Sequence, residues 1–356
     1  MTDIIVIGGG IAGLSLAARL STDATVTVLE AEDALGYHAS GRSAALIEPN
    51  YGAPSVQVLN RASVGFLSDG GYLTPRGLMI VAQPHQRADF ERDIASLGTD
   101  PITLNEAVNM VPILNRDALG FAAYHSDAQD IDTDRLLQDF ARVLRKNGGT
   151  IETGCRADHI RFDHGHWRVA CGARDFSAPT VVNAAGAWAD HVADMAGVTP
   201  LGVVPHRRSM ARIPAPGGHN LRDWPMFFGV NESWYAKPDA GCLLVSPADE
   251  DPVAPHDAWA EDLTLAQGLA LYQEVVTEPV TRLQSSWAGL RSFAPDRTLV
   301  LGRDPAQPTF VWCAGQGGYG IQTSPAASQM LADLMQGRTP DIAADMVRAL
   351  SPARFA

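Results

Sequence analysis

Cysteine is scarce and scattered in this chain: Cys155, Cys171, Cys242 and Cys313 are the only four, and no two form a CxxC pair. That spacing argues against a disulfide framework and fits reduced, structural thiols in a cytoplasmic setting. Positive charge is also in short supply. With 27 Lys and Arg against 40 Asp and Glu, the formal net charge is −13, so the average surface repels nucleic acid and anionic lipid. The histidines show no HxxxH or His/carboxylate spacing that suggests a metal, and no GxSxG supports a serine nucleophile. Long apolar runs are missing too. Residues 4–18 (IIVIGGGIAGLSLAA) carry no charge, but three consecutive glycines interrupt them and only Asp3 precedes them as a charge. That excludes a signal peptide with a basic start, and no other stretch is long enough to span a bilayer.

What the chain does have is an N-terminal strand–turn–helix of a particular kind. IIVI (4–7) reads as a strand apolar on both faces, as in a buried parallel sheet. It runs into Gly8-Gly9-Gly10-Ile11-Ala12-Gly13, then a helical pattern, then the strand TVTVLE (25–30) ending in Glu30. This is GxGxxG between strand and helix, with an acid about 20 residues on. The glycines permit a tight turn, approach of a pyrophosphate to the backbone and close helix–strand packing. The helix N-terminus offers free N–H groups, and Glu30 can accept ribose hydroxyls. The motif predicts dinucleotide binding but does not by itself separate NAD from FAD.

The segment GYHASGRSAALIEPNYG (36–52) follows directly, where a plain NAD domain would continue with further βα units. A second loop of small residues with backbone donors suits a ligand longer than a mononucleotide. From here the chain resembles the D-amino acid oxidase-like FAD-dependent oxidoreductases, and within them the bacterial D-arginine dehydrogenase type. The resemblance is carried by IGGGIAG, GYHASGRSAA, DIDTD (130–134), VVNAAGAWAD (181–190), HRRSM (206–210), ESWYAKPDAG (232–241), SSWAGLRSFAPD (285–296) and AGQGGYGIQTS (314–324). These blocks span nearly the whole chain in the family's order.

The resemblance implies an α/β fold: a Rossmann-like FAD-binding domain interleaved with a smaller, sheet-based α+β substrate domain. We expect the first unit to comprise residues 1–75, 131–202 and 288–356, and the second 76–130 and 203–287. Helices are expected over 105–114, ended by Pro112, over the RLLQDFARVLRKNGG segment capped by Asp132 or Thr133, around 263–276, and at SPAASQMLADLM.

The resemblance also implies a non-covalent FAD contacted by Gly8, Gly10, Ile11, Ala12, Gly13, Glu30 and Ala31. Ser40, Gly41, Arg42, Ser43, Ala44 and Ala45 follow, with Arg42 near the pyrophosphate or on a scaffold carboxylate. Ala157, Ala185, Gly186, Trp188 and Gly289 complete the middle of the site. Gly317, Gly318, Tyr319, Gly320, Ile321, Gln322 and Thr323 would meet the flavin edge where negative charge accumulates on reduction. Cys313, within a strand, is read as a buried inert thiol rather than a flavin attachment point.

At the substrate end, the family places the substrate carboxylate on the arginine matching Arg291, with hydroxyls from Tyr51 and Tyr235, Arg208 nearby and Gly318 facing the reacting centre. A structural ion pair is the competing reading for Arg291, core packing for the tyrosines, and scaffold pairing for Arg207 and Arg208. Two departures bear on specificity. Leu46 stands where the D-arginine type has His, and Leu78 where it has Glu. Losing that anion removes the reason to prefer a cationic side chain and favours a neutral or apolar one. Glu48 is expected to face solvent.

The implied activity is oxidative deamination of a neutral D-amino acid to a 2-oxo acid and ammonia, by hydride transfer from Cα to flavin N5. An N-methyl or cyclic secondary amino acid is the nearest alternative. A flavin-free NAD dehydrogenase and a non-catalytic flavin-binding subunit are more distant ones. The partner is a small amino-acid substrate, and the sequence does not separate oxygen from a quinone as electron acceptor.

Overall fold

A computed structural model describes residues 2–356. Its first sheet has the strand order Val300–Arg303, Phe310–Ala314, Thr180–Asn183, Ile4–Ile7, Val26–Leu29, Thr150–Glu152. All neighbours run parallel except the edge strand Val300–Arg303. The central strand IIVI is buried along its whole length because both faces of the sheet are covered. Helices Ile11–Leu20, Pro54–Asp69, Thr133–Lys146 and Gly320–Met335 pack on one face around Leu14, Val28, Leu59 and Leu331. A three-stranded antiparallel sheet (His159–Asp163, His166–Cys171, Arg174–Ala178) and helix Ala189–Met195 cover the other, around Trp167, Phe310 and Trp312.

The local signals act through identifiable contacts. Asp132 caps Thr133–Lys146 by accepting the Arg135 N–H at 3.0 Å. Thr103 and Glu106 form a capping box on Leu104–Met110. The C-terminal helix starts earlier than its apolar pattern suggests, at Gly320, and runs through Pro325. Proline removes the N–H that would bond to the Ile321 carbonyl, and the Ser324 hydroxyl donates to that oxygen instead at 2.9 Å. That helix does not close the chain: Ala344–Leu350 follows it. The helix expected around 263–276 spans Asp262–Gln273.

The second sheet has eight strands in the order Ser285–Phe293, Val204–Pro214, Cys242–Ser246, Tyr235–Asp239, Met226–Gly229, Leu78–Ala82, Phe121–His125, Asp100–Ile102. Strand Ser285–Phe293 is hydrogen-bonded along Val204–Pro214 over nine residue pairs, so residues 288–293 belong to this sheet and not to the nucleotide-binding unit. Its end touches the other unit, where the Gly317 N–H donates to the Ser292 carbonyl at 2.8 Å. A small sheet of Leu46–Ile47, Gln129–Ile131 and Leu73–Pro75 lies at the seam.

Candidate active site

Two adjoining cavities occupy that seam. The larger, of about 300 Å³, runs from the first sheet's glycine turn to Arg291. Gly8 adopts a positive φ of +114°, and a Cβ there would lie 2.3 Å from the Ala184 carbonyl oxygen. A Cβ on Gly13 would lie 2.0 Å from the Gly8 carbonyl oxygen, so Gly13 serves packing and does not line the cavity. At the start of Ile11–Leu20 the Ile11 N–H donates to Ser40 Oγ at 3.0 Å. Among the described residues the N–H groups of Gly10 and Ala12 find no acceptor, leaving a donor set facing the cavity. Glu30 is buried; its two oxygens accept the Gly9 N–H at 2.6 Å and the Glu32 N–H at 2.9 Å. Free helix-end donors, a backbone cradle that side chains would fill and a fixed carboxylate suit an adenine dinucleotide.

Further along, Ala31, Ser40, Arg42, Ser43, Ala44, Ala157, Ala185, Gly186, Trp188 and Gly289 line the same cavity. Arg42 resolves to the scaffold role: its guanidinium donates to Asp257 at 2.5 Å and to the carbonyls of Tyr37, Ala258 and Ala288. Gly41 lies outside the lining, its N–H bonded to the Gly36 carbonyl at 2.7 Å. Gly317, Gly318, Gly320 and Ile321 close the far end. Tyr319 and Thr323 line neither cavity: Tyr319 packs edge-on against Tyr51, and the Thr323 hydroxyl donates back to the Tyr319 carbonyl at 2.8 Å. The lining also includes Tyr37 and His38, which lie in the GYHASGRSAA block without being marked as site residues, and Cys155 and His191, which no motif contains.

The smaller cavity, of about 130 Å³, opens beside this end. Arg291, Tyr235 and Gly318 line both cavities; Ala45, Leu46, Tyr51, Leu78 and Gln322 line the smaller one. Gln322 is thus on the substrate side, where its Oε1 accepts the Glu48 N–H at 3.0 Å. Arg208 lines only the larger cavity. Its Nη2 is 3.6 Å from Glu250, and its buried Nε and Nη1 have no partner among the described residues. Arg207 is the scaffold cation of that pair, enclosed by Asp249, Asp251 and Glu261.

Arg291 differs from both. Among the described residues no carboxylate lies within 4 Å of its guanidinium, and it makes no side-chain hydrogen bond with aligned geometry. Burial alone would lower its pKa, but Tyr51, Tyr235 and Glu232 raise it further above the ordinary arginine range. It therefore stays cationic, and an unpaired cation facing a cavity calls for an anionic ligand. Tyr51 donates to Glu232 Oε2 at 3.1 Å, and burial followed by Glu232 pushes its pKa above the usual phenol range, so it remains a neutral donor.

The opposite wall is apolar: Leu46, Leu78, Leu97, Met226 and Phe228. Two acids sit within it. Glu48 is buried at 4% exposure and pairs with His125 across 2.9 Å, contrary to the solvent-facing position expected for it. Its burial follows from the pairing of Leu46–Ile47 with Gln129–Ile131, which turns the next residue inward beside His125. Glu232 begins the ESWY block, but nothing in its local sequence marks it as a site residue. Asn231 and Glu232 both adopt positive φ (59° and 50°), a conformation uncommon for such residues, and this turn points the Glu232 carboxylate at Tyr51.

A family model described as FAD dependent oxidoreductase matches residues 3–334. A bovine protein, "FAD-dependent oxidoreductase domain-containing protein 1" (Bos taurus), is 23% identical over 94% of this chain and 81% of its own. Among solved structures, glycine oxidase from Geobacillus kaustophilus superposes with a TM-score of 0.85 at 22% identity, covering 99% of this chain and 98% of its own. L-proline dehydrogenase from P. horikoshii superposes at 0.84 with 21% identity, covering 99% and 97%.

Proposed function

The chain belongs to the FAD-dependent oxidoreductase family, and on that premise we propose that it oxidises the Cα–N bond of a neutral α-amino acid held by its carboxylate on Arg291. The observation that carries this reading is the unpaired Arg291 guanidinium at the junction of the two cavities. FAD, the family's cofactor, supplies the two-electron acceptor for the hydride that leaves Cα. The residues suited to hold it are the Gly8–Gly10 turn, Glu30, Ser40 and the Gly317–Ile321 loop.

On the substrate side, Arg291 offers a carboxylate two parallel N–H donors, each charge-assisted bond contributing about 1.5–3 kcal/mol. The Tyr235 hydroxyl adds a neutral donor, while Tyr51, whose one O–H proton is held by Glu232, bounds the carboxylate's position, and together with Arg291 they fix the direction in which the Cα–H points. The leucine, methionine and phenylalanine wall receives the side chain. A dry apolar cavity of roughly 150 Å³ accepts a benzene-sized group, so about 130 Å³ suits side chains of leucine or methionine size. Both cavity acids are engaged, Glu48 by His125 and the Asn50 N–H and Glu232 by Tyr51, so the substrate ammonium gives its proton to water. The resulting imino acid hydrolyses to a 2-oxo acid and ammonia.

The resemblance to D-arginine dehydrogenases supports the D configuration, with Leu46 and Leu78 supporting a neutral side chain. A second reading is a cyclic or N-methyl secondary amino acid. The same cavity accommodates a pyrrolidine ring, and a proline dehydrogenase shares the fold over nearly the whole chain. Anaerobic mixing of the yellow holoenzyme with D-, L-, N-methyl and cyclic amino acids tests both. Bleaching fastest with D-Leu, D-Met or D-Phe supports the first, bleaching by sarcosine or proline the second, and bleaching by none of them overturns both.

A further inference from the structure

Glu48 is held in place from three directions, twice through its backbone and once through its carboxylate. Its backbone N–H donates to Gln322 Oε1 at 3.0 Å, its carbonyl accepts Asn60 Nδ2 at 3.1 Å, and its Oε1 accepts the Asn50 N–H at 3.0 Å. The remaining oxygen, Oε2, is buried, has no aligned hydrogen-bond donor and lies 2.9 Å from His125 Nε2. His125 ends the strand Phe121–His125, directly opposite the cavity residue Leu78 in the adjoining strand. Its Nδ1 accepts the Asp127 N–H at 3.3 Å, so in the neutral ring the proton sits on Nε2, the nitrogen nearer Glu48.

We propose that Glu48 and His125 form a titrating recognition site for the substrate side chain: holding one extra proton the pair admits apolar side chains, and having released it the pair favours side chains ending in an ammonium or guanidinium. The proposal rests on the cavity being an amino-acid site. With the proton bound, the pair is neutral, and a cationic side chain entering beside it would lose its hydration without a counter-charge. With the proton gone, the cavity wall carries one net negative charge, whose field offsets the lost hydration of a cationic side chain entering the cavity.

The other charges facing the pair come from neighbouring elements. Asp127 follows the same strand, Asp100 lies in the adjoining strand Asp100–Ile102, and Glu232 and Arg291 line the cavity itself. Burial lowers the His125 pKa, but Glu48, then Asp127 and Asp100, outweigh it and leave it raised above the ordinary imidazole value.

The test is the ratio of kcat/KM for lysine to that for norleucine, in whichever configuration reduces the flavin. The two side chains share four carbons and differ in the terminal ammonium, which stays protonated below about pH 9.5. Titration of the α-amino group is removed by expressing each rate per neutral substrate amine, using that substrate's own α-amino pKa. We expect the wild-type ratio to rise about tenfold between roughly pH 6 and pH 9, and the rise to vanish in Glu48→Gln. In His125→Gln the ratio should be high and independent of pH. A flat wild-type ratio, or an unchanged slope in Glu48→Gln, overturns the proposal. Should no amino acid reduce the flavin, the function proposed above fails separately. The same ratio is then read from dissociation constants, using the perturbation of the holoenzyme's visible spectrum, with the same two outcomes.

Discussion

A methyl group placed on Gly318 would lie 2.9 Å from the guanidinium carbon of Arg291. The glycine-rich turn before the C-terminal helix and the arginine of the second sheet are therefore in face-to-face contact. One end of the cofactor cavity and the anchor of the substrate cavity form a single packed unit. Gly318 is required for this approach and not for a left-handed backbone, since its φ is not positive.

The first consequence concerns Gly318→Ala. The added methyl must displace Arg291, because the neighbouring backbone is fixed by the Gly317–Ser292 hydrogen bond. Misplacing the substrate by even a fraction of an ångström should lower kcat/KM by about 10- to 100-fold. The bound flavin should remain near one per chain, measured by its visible absorbance. Loss of flavin together with activity would place the effect in the cofactor cavity instead.

Replacing Arg291 by Lys retains the charge but removes the planar pair of donors. For a carboxylate substrate, kcat/KM should fall by at least about 100-fold, mostly through KM. The corresponding amine lacking a carboxylate should be affected far less. Equal losses for the two compounds would show that Arg291 does not hold the carboxylate.

Much of this arrangement is legible in the chain because it depends on local chemistry. IGGGIAG with Glu30 declares the glycine turn through steric needs that only glycine meets, and Asp132 and Thr103 announce helix starts through hydrogen bonds made within three residues. Arg291 stands out as an arginine among apolar and small residues. Glu48 is different. Its environment is made by His125, 77 residues further on, and by the pairing of Leu46–Ile47 with Gln129–Ile131, so no local pattern distinguishes it from a surface acid. The assignment of Arg42 likewise required Asp257, which approaches from an irregular segment with no periodicity to read. The same limit explains residues 288–293: strand character is visible in SSWAGLRSF, but the identity of its partner strand is a long-range choice.

Cys313 is packed between the first sheet and helix Ile11–Leu20, and burial pushes its thiol to about 12. At neutral pH it has almost no thiolate, so it should neither attach to flavin nor react with thiol reagents in the folded protein. Acid precipitation should leave all the yellow colour in the supernatant. Flavin retained on the pellet and lost in Cys313→Ser would contradict this.

The pH dependence of stability follows from His125. Its pKa in the folded protein lies above the unfolded value of about 6.5, because the large effect of burial is outweighed by Glu48, Asp127 and Asp100 together. Between those two values the folded state binds a proton that the unfolded chain has released. Folding then takes up protons, and stability falls as pH rises. The contribution is complete below about pH 6.5 and disappears as pH passes through the raised folded value. Other groups also titrate, so the informative quantity is the Tm of the wild type minus that of His125→Gln. This difference should be largest near pH 6 and shrink steadily as pH rises through the raised folded value. Glu48→Gln should flatten it, because without the carboxylate the imidazole loses its main reason to stay protonated. A difference that grows with pH would mean that burial dominates and that His125 is held neutral.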